Sequence, residues 1–201
     1  MTDPFHDGSQ AVTHLENLLK RRSEKPPAAV TVLLGSSRRA GNTARLVEAT
    51  FRDAPARIVD LSDYDIAPYD YGNRHSADDF LPLARAMAKS EAIVFATPVY
   101  WYAMSAQLKT FFDRLSDLTR VEKTLGRSLA GKTVFLIATS SSDALPDGFE
   151  TPFAETARYF DMNWGGAFHA RLADGPLPPE IEAEAAAFAR KIAQSLKARA
   201  A

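Results

Sequence analysis

Three short stretches carry residues whose types and spacing suit chemistry. The first, Gly35-Ser36-Ser37-Arg38-Arg39-Ala40-Gly41-Asn42-Thr43, runs from an apolar segment straight into one with a helical period. At such a junction free backbone N–H groups and the helix dipole favour an anion. The hydroxyls of Ser36, Ser37 and Thr43, the Asn42 amide and the Arg38 guanidinium add donors matched to a phosphate. The Lys-Ser/Thr pair of a Walker loop is missing, and so is the G-x-G-x-x-G of a dinucleotide turn. The competing reading is that Asn42 or Thr43 merely caps the helix while the arginines are solvated. The second stretch, Thr97-Pro98-Val99-Tyr100-Trp101-Tyr102-Ala103-Met104-Ser105, has three consecutive aromatics. They suit stacking against a planar ring or walling one in, or else they cover the edge of a core. The third, Ser140-Ser141-Ser142-Asp143, offers hydroxyl and backbone groups to a polar ring edge, or is an ordinary turn.

These loops are useful only if the elements around them bring them together. Val30–Leu34, Ala92–Thr97 and Thr133–Thr139 are continuous apolar runs of strand length, as expected of strands buried on both faces of a parallel sheet. Arg57–Leu61 and Asn163–His169 complete five strands. Helical periods fall at Asn42–Asp53, Asp78–Ser90, Ser105–Leu118, Thr151–Phe160 and Pro178–Arg199. A further helix at Gln10–Arg22 is stopped by Pro26 and Pro27. Alternating strands and helices with right-handed crossovers predict an open parallel sheet, α/β and doubly wound, covered by helices on both faces. In such a sheet ligands sit beyond the carboxyl ends of the strands, where all three loops lie. The organisation expected is an N-terminal helical extension over residues 1–27 and one α/β domain over residues 28–201 that includes the C-terminal helix.

Composition removes several function classes. The 24 Lys and Arg against 25 Asp and Glu leave a net charge of -1, so nothing electrostatic recommends a nucleic acid or an anionic membrane as partner. The chain has no cysteine, which excludes disulfides, thiolate metal sites and cysteine nucleophiles. The longest apolar stretch, Ala92 to Ala106, is interrupted by Pro98 and is shorter than a membrane span. Met1 to Gln10 carries Asp3, His6 and Asp7 where an export signal would be basic and then apolar. A cytoplasmic protein with no membrane association is the expectation.

The loops together describe a site for a mononucleotide with a flat ring, and at this point the sequence resembles a known family. Gly35 to Thr43 is similar to the G-S-x-R-x-x-G-N-T phosphate loop of the NADPH-dependent FMN reductases, which are flavodoxin-like NAD(P)H-dependent oxidoreductases. Thr97-Pro98-Val99-Tyr100, followed by Lys109-Thr110-Phe111-Phe112-Asp113-Arg114, looks like the family's T-P-x-Y and K-x-F-x-D-R helix. The likeness spans about residues 29 to 170. It implies a flavodoxin-like five-stranded sheet of order 2-1-3-4-5, FMN as cofactor and NAD(P)H as co-substrate. It assigns Ser36, Arg38, Asn42 and Thr43 to the FMN phosphate, and Pro98, Val99, Tyr100 and Trp101 to the ribityl chain and isoalloxazine. Ser140 and Ser141 then meet the pyrimidine side of the ring. Family members with an iron–sulfur cluster carry cysteines after the second strand; here that region, Asp65 to His75, has none. A homodimer or higher homo-oligomer is also implied by the resemblance.

The expected activity is electron transfer from a nicotinamide through FMN to a small acceptor, a quinone, flavin, azo or nitro compound, in ping-pong order. The flavin carries the redox chemistry, so no catalytic side-chain acid or base is required. Tyr100, Trp101 and Tyr102 are candidates to line the shared pocket, with a plug at the helix entry as the rival role. The Pro68 to His75 segment either closes over the ring or is a connector; trimming Tyr69 to His75 would change acceptor turnover and leave FMN bound. Asp60 as a ribose ligand is disfavoured by the missing glycine fingerprint. The alternative of a different class is a non-enzymatic FMN electron carrier like flavodoxin. Against it stand the near-neutral charge balance and R-x-x-G-N-T in place of T-x-T-G-x-T.

Overall fold

The strand β1, Val30–Leu34, is buried at all five positions. Its side chains alternate between two cores: Leu33 enters one, while Val30, Val32 and Leu34 enter the other. Strands β3, Ala92–Pro98, and β4, Thr133–Ser140, divide in the same way, which is why an unbroken apolar run marks each of them. With β2, Arg57–Asp60, and β5, Asn163–Arg171, they form one parallel sheet of order β2-β1-β3-β4-β5. This computed structural model describes residues 28–200, with side chains to 198, so the helix read at Gln10–Arg22 and the extension over residues 1–27 lie outside the described residues.

Helices cover both faces. On one, α1 (Asn42–Thr50) and the C-terminal helix α7 (Pro179–Ala200) contribute Leu46, Val47, Phe188 and Ile192 to the core. On the other, α2 (Phe80–Ala88), α3 (Ala106–Arg114) and α6 (Thr151–Tyr159) contribute Phe80, Leu108, Phe111 and Phe153. Each such side chain stabilises the fold by roughly 1.5–3 kcal/mol relative to exposure, so the two cores fix the sheet and, with it, the strand ends.

The expected Arg57–Leu61 strand stops at Asp60, whose carboxylate accepts from the Ser62 N–H and turns the chain into a 3-10 turn at Leu61–Asp63. The helix expected over Ser105–Leu118 is broken at Arg114. Leu115, Ser116, Leu118 and Thr119 each donate to the carbonyl three residues back, which tightens the chain before α4, Asp117–Arg120. A further short helix, α5 (Lys123–Arg127), had no apolar period long enough to announce it. Other boundaries move by three residues or fewer, as at α1, which ends at Thr50 rather than Asp53.

Candidate functional site

Gly35 follows β1 and donates its N–H to the Ala96 carbonyl at 2.8 Å, continuing the sheet by one bond. A Cβ here would lie 2.7 Å from Leu108 Cβ, so only glycine lets α3 approach the end of β1 this closely. Ser36 is buried, and its hydroxyl donates to the Arg38 carbonyl at 3.2 Å while accepting from the Arg38 N–H at 3.3 Å. The chain then turns through Gly41, whose N–H donates to the Arg38 carbonyl at 3.1 Å. A Cβ on Gly41 would meet Arg38 Cβ at 2.8 Å.

Gly41 is also the N-cap of α1, and no side chain caps this helix. Asn42 does not: its amide donates to the Leu172 carbonyl at 3.0 Å and its oxygen accepts from Arg45. Thr43 does not either, because its hydroxyl is bonded to the Thr139 hydroxyl at 2.7 Å. Both side chains brace the helix start against the ends of β4 and β5. The first-turn N–H groups of α1 are thereby left without a side-chain partner, at the positive end of the helix dipole. Arg38 adds a charge nearby, 74% exposed and 3.6 Å from the 86% exposed Asp174.

The second loop is held at its base and strained at its tip. Thr97 accepts the Ser105 N–H at 3.0 Å, Ser105 caps α3 through the Leu108 N–H, and the Val99 N–H reaches the Thr139 carbonyl at 2.8 Å. Tyr100 and Ala103 exchange both backbone hydrogen bonds, at 2.9 and 3.0 Å, closing a two-residue turn. Its central residues are Trp101 and Tyr102, with φ of 48° and 66°. Turns of this kind are ordinarily built from Asn and Gly, and a bulky aromatic in the left-handed region carries strain. Trp101 is 92% exposed and Tyr102 76%, so neither plugs the core.

The third loop begins at Ser140, the last residue of β4. Its hydroxyl lies 2.8 Å from Nε2 of His169 on β5 and accepts the Ser142 N–H at 3.1 Å. Burial lowers the pKa of His169 and favours its neutral form. Arg171 and Asp143 close the outside with an exposed pair at 2.7 Å.

The three loops enclose two adjoining cavities. The first, about 240 Å³, lies over the start of α1 and is lined by nine of the ten residues expected from the sequence: Ser36, Arg38, Asn42, Thr43, Pro98, Val99, Tyr100, Ser140 and Ser141. Trp101 lines the second, also about 240 Å³, together with Tyr102 and Ser142. Val99, Ser140 and Ser141 belong to both and form the passage between them. Sequence reasoning missed Thr139 and Leu172, which also line the first cavity. Thr139, a hydroxyl ending an apolar strand just before Ser140, was a readable signal; Leu172, whose carbonyl accepts from the Asn42 amide, left none. His75 lies in the connector between β2 and α2 and lines neither cavity. Its carbonyl accepts from the buried Arg114, which also bonds the Ala67 carbonyl and pairs with Asp78 and Asp117. The connector from β2 to α2 is therefore fastened from within.

A parallel sheet of order 2-1-3-4-5 with its polar loops at the carboxyl edge defines a flavodoxin-like α/β protein. Solved structures agree on the fold: the Trp repressor binding protein from Bacillus subtilis superposes with a TM-score of 0.60 at 22% identity, over 81% of this chain and 98% of that one. A WrbA-like flavodoxin from Agrobacterium tumefaciens gives 0.54 at 20% identity, over 84% and 98%. Residues 28–148 match the family model of the NADPH-dependent FMN reductases, and the chain belongs to that family. FMN is the family's cofactor and NAD(P)H its reductant. Among curated relatives, the Bacillus subtilis protein YwqN, whose name reads "Putative NAD(P)H-dependent FMN-containing oxidoreductase", is 33% identical over 97 residues, 45% of this chain and 54% of the relative. An iron–sulfur flavoprotein from Archaeoglobus fulgidus is 28% identical over 95 residues, 41% of this chain and 43% of that protein. The chain thus matches about half the length of these relatives. Among the described residues no helix is long and apolar enough to cross a membrane.

Proposed function

We propose that the chain is an FMN-dependent oxidoreductase that takes electrons from NAD(P)H and passes them to a small acceptor, a quinone, flavin, azo or nitro compound. The observation that carries this reading is the uncapped start of α1 opening onto a cavity that adjoins a second, aromatic-edged one. The donor set fits a phosphate monoester: several first-turn N–H groups without side-chain partners, a buried serine and one exposed guanidinium, around a glycine where a side chain would intrude.

In this reading Ser36, Arg38 and the N–H groups at Asn42 and Thr43 hold the phosphate, while the Asn42 and Thr43 side chains keep that helix end in place. Pro98, Val99 and Tyr100 border the ribityl chain, Trp101 the ring, and Ser140 and Ser141 its pyrimidine edge. FMN, when bound, supplies hydride acceptance and electron release. The residues around it bind, orient and shield, and none need act as acid or base. With one cofactor site and no second nucleotide motif, nicotinamide and acceptor use the same ring face in turn, a ping-pong order. A cytoplasmic homo-oligomer is part of the same reading. The absence of cysteine means that this chain supplies no thiolates for an iron–sulfur cluster.

The test is the visible spectrum of the purified protein, followed by anaerobic addition of NADPH and then NADH. Bleaching of a bound flavin, with acceptor-dependent recovery and parallel-line kinetics, is expected. A bound flavin that neither nucleotide reduces would favour a single-electron carrier, and a protein that refuses FMN would overturn the reading.

A further inference from the structure

His169 has no part in the electron-transfer reading above and lines neither cavity, yet it contacts Ser140, which lines both. Ser140 Oγ accepts the Ser142 N–H at 3.1 Å and lies 2.8 Å from His169 Nε2. A hydroxyl has two lone pairs and one proton. If the imidazole donates, both lone pairs are taken, and the hydroxyl proton is the one valence Ser140 has left for a ligand. If Ser140 donates to the imidazole, it faces the cavity only as an acceptor.

The surroundings of the ring decide between these. His169 is half-buried, and burial favours its neutral form, with a single N–H. Among the described residues Nδ1 has no hydrogen-bond partner, whereas Nε2 has Ser140. The Ser142 carbonyl is an acceptor within reach of the hydroxyl proton, and only an imidazole that donates lets Ser140 make all three of its contacts at once. The proton therefore belongs on Nε2. The hydroxyl proton then has only the Ser142 carbonyl, at 3.1 Å and two residues away. That is long against the about 2.7–2.8 Å usual between oxygens, a contact a better acceptor displaces.

We propose that His169 is a positioning residue that fixes Ser140 as a hydrogen-bond donor toward a carbonyl of the bound ring. The inference rests on the FMN reading for the identity of that ring. The ligand chemistry it selects is a heteroaromatic imide, whose carbonyl oxygen meets the Ser140 proton at the passage between the cavities.

The test has two arms. In apoprotein carrying 15N-labelled histidine, the imidazole shifts of His169 are expected to report the Nε2–H form; the Nδ1–H form would overturn the proposal. In FMN titrations, His169→Phe is expected to weaken binding by about fivefold, in keeping with one neutral hydrogen bond. His169→Gln, which keeps a donor, restores most of it. In a Ser140→Ala background His169→Phe should have no further effect. An equal loss in that background would show His169 acting through packing alone and sink the idea. Wild-type protein that binds FMN unaffected by His169→Phe overturns this inference only; wild-type protein that takes up no FMN overturns the cofactor reading as well.

Discussion

Two polar regions flank α3, and they are built to opposite rules. Below it, Arg114 is 2% exposed, yet each of its three nitrogens is engaged: Nε with Asp117 at 2.8 Å, Nη1 with Asp78 and the Ala67 carbonyl, Nη2 with Asp78 Oδ1 at 3.2 Å and the His75 carbonyl at 3.3 Å. Asp78 in turn accepts from the N–H groups of Ala67 and Phe80. Above α3, the start of α1 leaves its N–H groups uncapped, Arg38 is exposed with only a solvent-facing pair to Asp174, and two aromatics stand exposed on a strained turn. A polar cluster that satisfies itself holds structure, because a buried group without a partner costs free energy. A cluster that keeps unmatched donors around a cavity has its partner elsewhere. The contrast separates the two arginines of the recognised motifs: Arg114 belongs to the fold, and the proposed function gives Arg38 to the ligand.

Breaking the closed region should give the largest effect. Arg114→Met removes the cation and leaves the carboxylates of Asp78 and Asp117 buried without their counter-charge, a loss of about 3–5 kcal/mol in unfolding free energy. Denaturant unfolding checks it. FMN affinity of the fraction that remains folded should be little changed; if affinity collapses while stability holds, the division between the regions is wrong.

Opening the other side further should reverse the pattern. Arg38→Ala gives up an exposed pair with Asp174, worth little to folding, and a charge-assisted bond to phosphate of about 1.5–3 kcal/mol. The apoprotein's Tm should stay within a degree or so, while the FMN dissociation constant rises by about tenfold or more. Fluorescence titration reads this directly. Loss of stability with unchanged affinity would move Arg38 into the structural class.

The sequence made some of this legible and hid the rest for physical reasons. Strands β1, β3 and β4 were readable because burial on both faces demands an apolar run, and the loop after β1 because phosphate donors announce themselves by type. The arrest of the third helix at Arg114 left no local mark, and the partners that hold the Arg114 guanidinium reach back as far as Ala67. The contact of Thr43 with Thr139 spans 96 positions and leaves no local pattern. Nor does Trp101-Tyr102 look like a left-handed turn, which ordinarily calls for Asn-Gly.

That turn sharpens the comparison at a smaller scale. Trp101→Gly relieves a bulky residue at φ 48° and should stabilise the apoprotein by up to about 1 kcal/mol. Acceptor turnover should fall at the same time, because the removed indole borders the second cavity. A gain in Tm with undiminished turnover would show that the strain serves nothing at this site.

The smallest expected effect is a pH dependence at the seam between fold and ligand. Burial lowers the pKa of His169 below its usual value near 6.5, so the unfolded chain binds the proton more readily than the folded one. Its contribution to stability is therefore complete above the unfolded value and declines as pH falls from there through the folded pKa. Asp78 has the same sign in a more acidic window. Burial alone would raise its pKa, but hydrogen bonds from Arg114 and from the Phe80 and Ala67 N–H groups outweigh that and lower it. Its share is present above the ordinary carboxylate range, near 4, and is lost as pH falls through the depressed value. Unfolding curves between pH 7 and pH 5 should thus show a decline that His169→Gln flattens and Asp78→Asn leaves in place, whereas below about pH 4 only Asp78→Asn should matter. If His169→Gln leaves the upper window unchanged, the imidazole is solvated in the folded protein and the seam is as open as the cavity above it.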